Sequence, residues 1–360
     1  MKYSYVKFDN YYLISFILIS LLFFTTNHYS YEQALLLNQL DSKSYYLISK
    51  NSPDLVYSKE IPFHHYQRFF LPYFIGLISE YTNLEIFLIH KIFTILVLIS
   101  ISIVHKKIFR KLNQNFETSI ILLSIVIFSP YLSRYVMSIP LMLIDLSFVL
   151  INYLIILCYI TKSKWIFFLI QFSLIFRLSG IATIIGYLSS CIININKNLL
   201  KILVTIFLSL ITIFLLDLFA KTLTGSEFNN VIYLGLINEF DLNKLIYLFI
   251  FIFKPIICFI PLIFLLFFYK LKKKNINFEN LLFFLITSLM IVGQPVMGGQ
   301  EVTGNNVFRL SSLALPYLVT YFAILFKSRF SFKNYYYIFL VINFLYSLHP
   351  KYSIISFIIN

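Results

Sequence analysis

Long apolar stretches separated by short polar connections make up most of the chain between residues 11 and 349. A transmembrane helix needs about 20 apolar residues to cross a hydrocarbon core about 30 Å thick, and many of the stretches reach that length. They are continuous rather than alternating, which favours helices over half-buried strands. The pattern predicts an all-α, polytopic transmembrane protein, with residues 1–360 forming a single transmembrane domain.

The polar boundaries divide the apolar sequence into about 11 predicted spans. These are 11–27, 84–105, 117–130, 139–160, two short spans within 165–195, 199–221, 245–269, 279–297, 311–326 and 335–349. A polar segment, residues 28–67, separates the first two spans. The apolar stretch that follows it, 69–79, is too short to cross alone, so we expect a short re-entrant or interfacial helix after this first outer loop.

The composition agrees with a membrane protein and sets its orientation. Only 12% of the residues are charged and 59% are hydrophobic, whereas soluble domains carry about 25% charged residues. The net charge of +14 comes from lysines and arginines grouped in short connections, which indicates cytoplasmic loops rather than nucleic-acid binding. The first span then acts as an uncleaved signal anchor with a cytoplasmic N-terminus. The abundance of Ile, Lys, Asn, Phe and Tyr is typical of an AT-rich genome, which favours a bacterial inner membrane.

Groups suited to chemistry gather in the first outer segment, at the predicted membrane edge. Asp41 and Tyr45 are followed by His64, His65 and Arg68. A single loop aspartate is most often a helix cap or a solvated group, and an arginine here can simply extend towards lipid headgroups. Together, however, these side chains offer a carboxylate that can act as a general base and a guanidinium that binds phosphate.

Three more charged residues lie near the outer ends of predicted spans. Asp145 lies inside the fourth span, where an ionisable group is costly and is functional or paired by default. Arg177 interrupts the stretch 165–195, and Arg309 precedes an apolar span. Ordinary interfacial anchoring explains either arginine equally well. If the arginines converge on one outer cavity, they would instead bind phosphate or an anionic sugar. Asp217 is predicted to pair with Lys221, one helical turn away.

These motifs resemble those of GT-C-type integral-membrane glycosyltransferases. The resemblance rests on an outward acid after the first span, on Asp-x-x-x-Tyr at Asp41 and Tyr45, and on Arg-x-x-x-Pro at Arg68 and Pro72 before a short membrane helix. Asp145 in the returning span resembles the second acidic position of that family. The family often has paired acids in this loop, whereas Asp41 stands between Leu40 and Ser42.

The resemblance implies transfer of a sugar from a polyprenyl-phosphate-linked donor to a glycan, lipid or protein acceptor outside the membrane. Asp41 and Asp145 would be the catalytic residues, and the substrate would be bound by Tyr45, His64, His65, Arg68, Arg177 and Arg309. The resemblance does not establish a cofactor. No metal ligands are assigned, and the question of a bound divalent metal ion is left open. The expected partners are the lipid-linked donor, the acceptor and membrane lipids, but no nucleic acid.

Two other functions fit the same sequence. An O-antigen or exopolysaccharide polymerase also uses lipid-linked sugars and outward arginines, but it usually places its largest outer loop in mid-chain. Here the first outer segment is the longest. A lipid-linked-sugar flippase or transporter would predict related halves with broken helices at the midplane, and the sequence contains no internal repeat. No phosphate-binding loop of an ATP-driven pump is present.

Overall fold

Helices account for most of the architecture, which we describe from a computed structural model. The structure describes residues 2–37, 39–55, 58, 60–224, 245–271, 277–298, 303, 306–328, 336–349, 352 and 353. The acids Glu227, Glu239, Asp241 and Glu301 lie outside these described residues.

Within the described residues the fold is all-α, as predicted, with two short strands. The helices of the first half are α1 (Lys2–Thr25), α2 (Tyr31–Leu37), α3 (Gln39–Lys50), α4 (Phe63–Tyr66), α5 (Phe70–Thr82), α6 (Ile86–Lys111), α7 (Phe116–Ile127), α8 (Ser133–Ser138) and, after a 3₁₀ turn (Pro140–Met142), α9 (Leu143–Thr161). The later helices are α10 (Ile166–Phe176), α11 (Gly180–Ile192), α12 (Ile195–Thr224), α13 (Leu245–Ile257), α14 (Ile260–Leu265), α15 (Phe278–Met297), α16 (Asn306–Ser312), α17 (Leu315–Leu325) and α18 (Tyr336–Ser347). Strands β1 (Tyr269–Leu271) and β2 (Phe326–Ser328) pair antiparallel.

The predicted count of about 11 spans is not confirmed. Among the described residues, four helical segments are long and apolar enough to cross a membrane: Ile86–Lys111, Pro140–Thr161, Ile195–Thr224 and Phe278–Met297. A fifth arises if α16 and α17, bent by 48° at their junction, count together as one span. Helices such as α7, with 12 residues, extend only about 18 Å at 1.5 Å per residue, which is short of a full crossing.

Proline explains why one apolar stretch does not become one span. The sequence predicts a single helix over 245–269, but the structure has α13 and α14 separated near Phe259. Pro261 lies in the first turn of α14, where its missing N–H costs nothing. In the interior of a longer helix the same residue would remove a backbone hydrogen bond. Apolar length therefore overestimates helix length in this part of the chain.

Helix α9 lies at the centre of the bundle and α12 at its edge. In the span that contains α9, 78% of the most apolar 18-residue stretch is buried, whereas only 17% of the corresponding stretch of α12 is buried. Helices α6 and α10 both pack against α9. Gly186 of α11 lies so close to Thr287 of α15 that a Cβ atom would overlap the threonine side chain. The absence of a side chain at Gly186 therefore lets these two helices approach closely.

The first polar segment, residues 28–67, contains helices α2, α3 and α4 rather than an irregular loop. Helix α3 packs against α5, the short helix that the sequence predicts after this segment. The Ser49 hydroxyl donates to the Pro72 carbonyl at 2.7 Å, and the Ser52 hydroxyl donates to the Tyr73 carbonyl at 3.1 Å. These bonds fix the segment that carries Asp41 against the apolar helices.

A buried arginine connects α8 with the ends of α1 and α18. Arg134 of α8 is fully buried. Its guanidinium donates to the Thr25 carbonyl at 2.7 Å, to the Thr26 hydroxyl at 3.2 Å and to the Ser347 hydroxyl at 2.8 Å. Because these partners lie at the end of α1 and the end of α18, Arg134 joins three separate parts of the sequence.

Candidate functional site

Asp41, Tyr45, His64 and His65 come from the first polar segment. Asp41 lies in the first turn of α3, where the partial positive charge of a helix N-terminus favours a carboxylate. His64 and His65 form the middle of α4, a single turn that begins after Pro62. Arg68 follows directly, before α5 begins. The His65 imidazole thereby comes within hydrogen-bonding distance of Asp41, 24 residues earlier.

The other charged groups come from the helical bundle. Asp145 lies in the first turn of α9. Arg177 occupies the extended residue between α10 and α11, at the break that the sequence predicts in the stretch 165–195. Arg309 lies in α16, just before the bend that leads into α17. Two of the three arginines, Arg177 and Arg309, therefore lie at or beside breaks between short helices.

Asp41 and Asp145 are linked through Arg309. The His65 Nε2 atom lies 2.8 Å from Asp41 Oδ1, and Arg309 Nη2 lies 2.8 Å from Asp41 Oδ2. On its other edge Arg309 places Nε 3.5 Å from Asp145 Oδ2. Arg177 forms an ion pair with the remaining oxygen, Asp145 Oδ1. One guanidinium thus bridges both acids, and a second one pairs with Asp145 alone.

The two acids differ in their access to the surroundings. The Asp41 side chain keeps 16% of its exposure, whereas Asp145 keeps none. The arginines that contact them, Arg177 and Arg309, are also nearly inaccessible, at 4% and 7%. Asp41 is therefore partly accessible from outside the cluster, whereas Asp145 contacts its surroundings only through the arginines beside it.

The described part of the cluster carries more positive than negative charge. Arg68 forms no ion pair among the described residues, and its Nη1 atom lies 3.5 Å from the Tyr45 hydroxyl. It nevertheless lies close enough to Arg177 to repel its charge, as Arg309 does. Three guanidiniums thus face two carboxylates. Because excess charge in a buried site is costly without a partner, the arrangement favours an anionic ligand, and phosphate oxygens match the guanidinium geometry.

Asp41 is ionised and both histidines are neutral near pH 7. Burial alone would raise the pKa of Asp41, but the Arg309 charge and the His65 hydrogen bond hold that pKa well below its ordinary value. Burial lowers the pKa of His65, although Asp41 acts in the opposite direction. Because an ionised carboxylate only accepts hydrogen bonds, His65 Nε2 is the donor and Nδ1 carries no proton.

His64 makes the stability of the protein sensitive to acid. Burial, the neighbouring His65 and the charge of Arg68 lower the pKa of His64 to about 3, whereas an unfolded histidine titrates near pH 6.5. Between these values the unfolded chain binds a proton that the folded chain does not, so stability falls as the pH decreases from about 6.5. We expect His64→Gln to flatten the decrease in Tm between pH 7.5 and 5.0.

Thermal unfolding in detergent at several pH values measures this effect. Lys43→Gln is a suitable control, because it changes an exposed residue of the same segment and leaves every histidine in place. Equal slopes of Tm against pH for wild type and His64→Gln would contradict the assignment of a neutral, partly buried His64.

Asp41, His64 and His65 offer three possible metal ligands whose atoms lie within 4.8 Å of one another. Their surroundings do not suit a cation. Both oxygens of Asp41 already accept hydrogen bonds, one from His65 and one from Arg309. Arg68 and Arg177 also lie near enough to His64 to disfavour positive charge there. The residues fit an anion better than a divalent metal ion.

The structure brings together the residues that the sequence predicts for the site: Asp41, Tyr45, His64, His65, Arg68, Asp145, Arg177 and Arg309. Their chemical roles stay predictions. Sequence reasoning missed Tyr135, whose hydroxyl accepts a hydrogen bond from Arg309 Nη1 at 3.2 Å. It also missed that Asp217, predicted to pair with Lys221, accepts a hydrogen bond from the Gln67 side chain. Neither contact has a local sequence signal, because the partners lie far apart in the chain.

The fold and the cluster together define a helical protein with membrane-capable spans and a buried arginine–carboxylate–histidine site. No family model, curated protein or solved structure matches the chain.

Proposed function

We propose that the protein is an integral-membrane glycosyltransferase, similar to GT-C enzymes, that transfers a sugar from a polyprenyl-phosphate-linked donor to an acceptor hydroxyl. The observation that carries the proposal is the setting of Asp41. It is an ionised carboxylate, still partly accessible, next to three guanidiniums with an excess of positive charge. Transfer from a sugar phosphate needs both a base for the acceptor and cations for the leaving group.

The arginines would bind the donor phosphate. Arg68 has no carboxylate partner among the described residues and is the more accessible of the three arginines. Arg177 and Arg309 sit behind it, each held by Asp145. Guanidiniums fixed in place before the reaction stabilise developing negative charge without having to reorganise. Asp145 therefore acts as a positioning residue that keeps two arginines aimed at the phosphate.

Asp41 would accept the proton of the attacking hydroxyl. The acceptor oxygen forms a bond to the anomeric carbon while the bond from that carbon to the phosphate oxygen breaks. The proton moves to Asp41, and the electron pair leaves with the polyprenyl phosphate. A carboxylate with a strongly lowered pKa is a weak base, but a phosphate that takes over Arg309 weakens its bond to Asp41 and raises the carboxylate pKa towards its ordinary value.

The proposed location follows the charge pattern. The N-terminus is cytoplasmic, the Asp41 cluster faces the outer side, and the membrane is a bacterial inner membrane. The acceptor is a glycan, a lipid or a protein with an accessible hydroxyl. Donor and acceptor reach the site from the membrane and from the outer solution respectively, which fits a carboxylate that is partly exposed beside buried cations.

Membranes containing the protein should transfer labelled sugar from a polyprenyl-phosphate donor to an acceptor, adding one sugar per acceptor. Membranes from cells without the protein are the control. A ladder of lengthened lipid-linked repeats would instead establish a polymerase. Movement of intact lipid-linked sugar across reconstituted vesicles, with no bond change, would establish a flippase. Either outcome contradicts the proposal.

A further inference from the structure

A cavity lies at the opposite ends of the helices that carry the site. It has a volume of about 340 Å³ and lies between the ends of α9, α10, α11, α12 and α15. Lys162, at the end of α9, is 17 residues from Asp145, which is about 26 Å along a helix. The cavity is therefore separate from the Asp41 cluster by the full length of α9.

Lysines dominate the charge of this cavity. Lys162, Lys164, Lys197 and Lys201 line it, together with a single acid, Glu279. The Glu279 side chain accepts a hydrogen bond from Asn194, and Lys201 Nζ donates to Asn198 Oδ1 at 2.8 Å. Four ammonium groups against one carboxylate leave three positive charges around a concave space. The serine, asparagine and tyrosine side chains of the wall add hydrogen-bonding groups.

The surface next to the cavity is apolar and exposed. On α10, Phe168 is 57% exposed, and on α12, Leu200 and Leu203 are 74% and 55% exposed. Trp165, between the lining residues Lys164 and Ile166, is 69% exposed. Tryptophan favours the boundary between lipid headgroups and hydrocarbon. The cationic cavity is thus continuous with helix faces suited to acyl chains.

We propose that this cavity binds the phosphate headgroup of an anionic phospholipid whose acyl chains lie along α10 and α12. Basic pockets between membrane helices bind such headgroups. The adjoining apolar faces distinguish a lipid from a soluble phosphate, which would gain nothing from Phe168 or Leu200. The inference is independent of the proposed glycosyltransferase function.

Trp165 provides the measurement, because it is the only tryptophan of the chain. The purified full-length protein in neutral detergent micelles is titrated with phosphatidylglycerol or phosphatidylcholine carrying brominated acyl chains, and quenching of Trp165 fluorescence is recorded. Phosphatidylglycerol should quench saturably at a mole fraction about tenfold below that of phosphatidylcholine.

The variant K164Q/K197Q/K201Q should require about tenfold more phosphatidylglycerol for half-maximal quenching. Lys162, which ends α9 with a positive φ of 54°, is left unchanged so that the end of this helix stays as it is. The matched control, K107Q/K111Q/K270Q, removes three lysines that do not line the cavity and should behave as wild type. Equal weakening in both triple variants would show general surface attraction and overturn the proposal.

Two further results would also overturn it. One is indistinguishable quenching by the two lipids in the wild-type protein. The other is full displacement of phosphatidylglycerol by millimolar inorganic phosphate at constant ionic strength, which would make soluble phosphate the occupant. Circular dichroism of each variant establishes that the helices are intact before quenching is compared.

Discussion

Asp41→Asn is expected to reduce sugar transfer by about 10³-fold or more, because general base catalysis typically contributes about 10²–10⁴-fold. The asparagine keeps the size of the side chain and one oxygen that accepts hydrogen bonds, but it cannot take the proton of an acceptor hydroxyl. Asp145 still pairs with both Arg177 and Arg309 in this variant, so the protein should still fold. Initial transfer rates in purified membranes and Tm in detergent measure the two effects separately.

Two companion variants make the Asp41 result specific. Asp54→Asn changes an exposed acid of the same segment and should leave both rate and Tm unchanged. Asp41→Glu should retain part of the activity, because it keeps the base while displacing it by one methylene group. Transfer by Asp41→Asn at a rate near that of wild type would remove the proposed role of this carboxylate.

Arg309→Gln should cost both activity and stability. Its guanidinium contacts Asp41 and Asp145 at once, so its loss leaves two carboxylates, of which Asp145 is fully buried, with too few partners. Breaking a buried ion pair by removing one partner typically costs about 3–5 kcal/mol. We expect a clear decrease in Tm and a loss of transfer of about 10²-fold or more, as for removal of one donor that stabilises developing charge.

A double variant separates the structural part of this loss from the chemical part. In D41N/R309Q a negative and a positive group disappear together, so the Tm should recover part of the decrease seen for Arg309→Gln alone. Transfer should stay absent, because base and phosphate ligand are both gone. Arg110→Gln, at an exposed position near the end of α6, is the matched control. Failure of the double variant to recover any stability would contradict the ion pair between Asp41 and Arg309.

Sequence reasoning anticipated the membership of the cluster because charge in an apolar environment is costly. A charged residue at the end of an apolar stretch is stable mainly when a charged partner or water lies beside it. Asp145 and Arg177 stand in such positions, and the structure pairs them. The same argument could not tell which acid stays accessible, because that depends on how α3 and α4 fold over the bundle.

Local sequence patterns could not predict which residues contact each other across long distances in the chain. Arg309 and Asp41 are 268 residues apart, and Gln67 and Asp217 are 150 apart. No periodicity links such positions, since contacts of this kind arise only after the helices have packed. The predicted count of about 11 spans is not confirmed for a different reason. The length of an apolar segment does not reveal where the segment bends. This chain is interrupted near Phe259 and bent at the junction of α16 and α17.

The bridging position of Arg309 has a consequence for how the chain is made. Asp145 leaves the ribosome before either of its partners, Arg177 following 32 residues later and Arg309 only after 164. Early in synthesis the membrane must therefore accept Asp145 as an isolated acid, and the ion pair with Arg177 is the first that can neutralise it. Asp41 gains its hydrogen bond with His65 24 residues later, but its ion pair with Arg309 only 268 residues later. The order of translation thus makes the Arg177 pair an assembly step and the Arg309 contacts its completion.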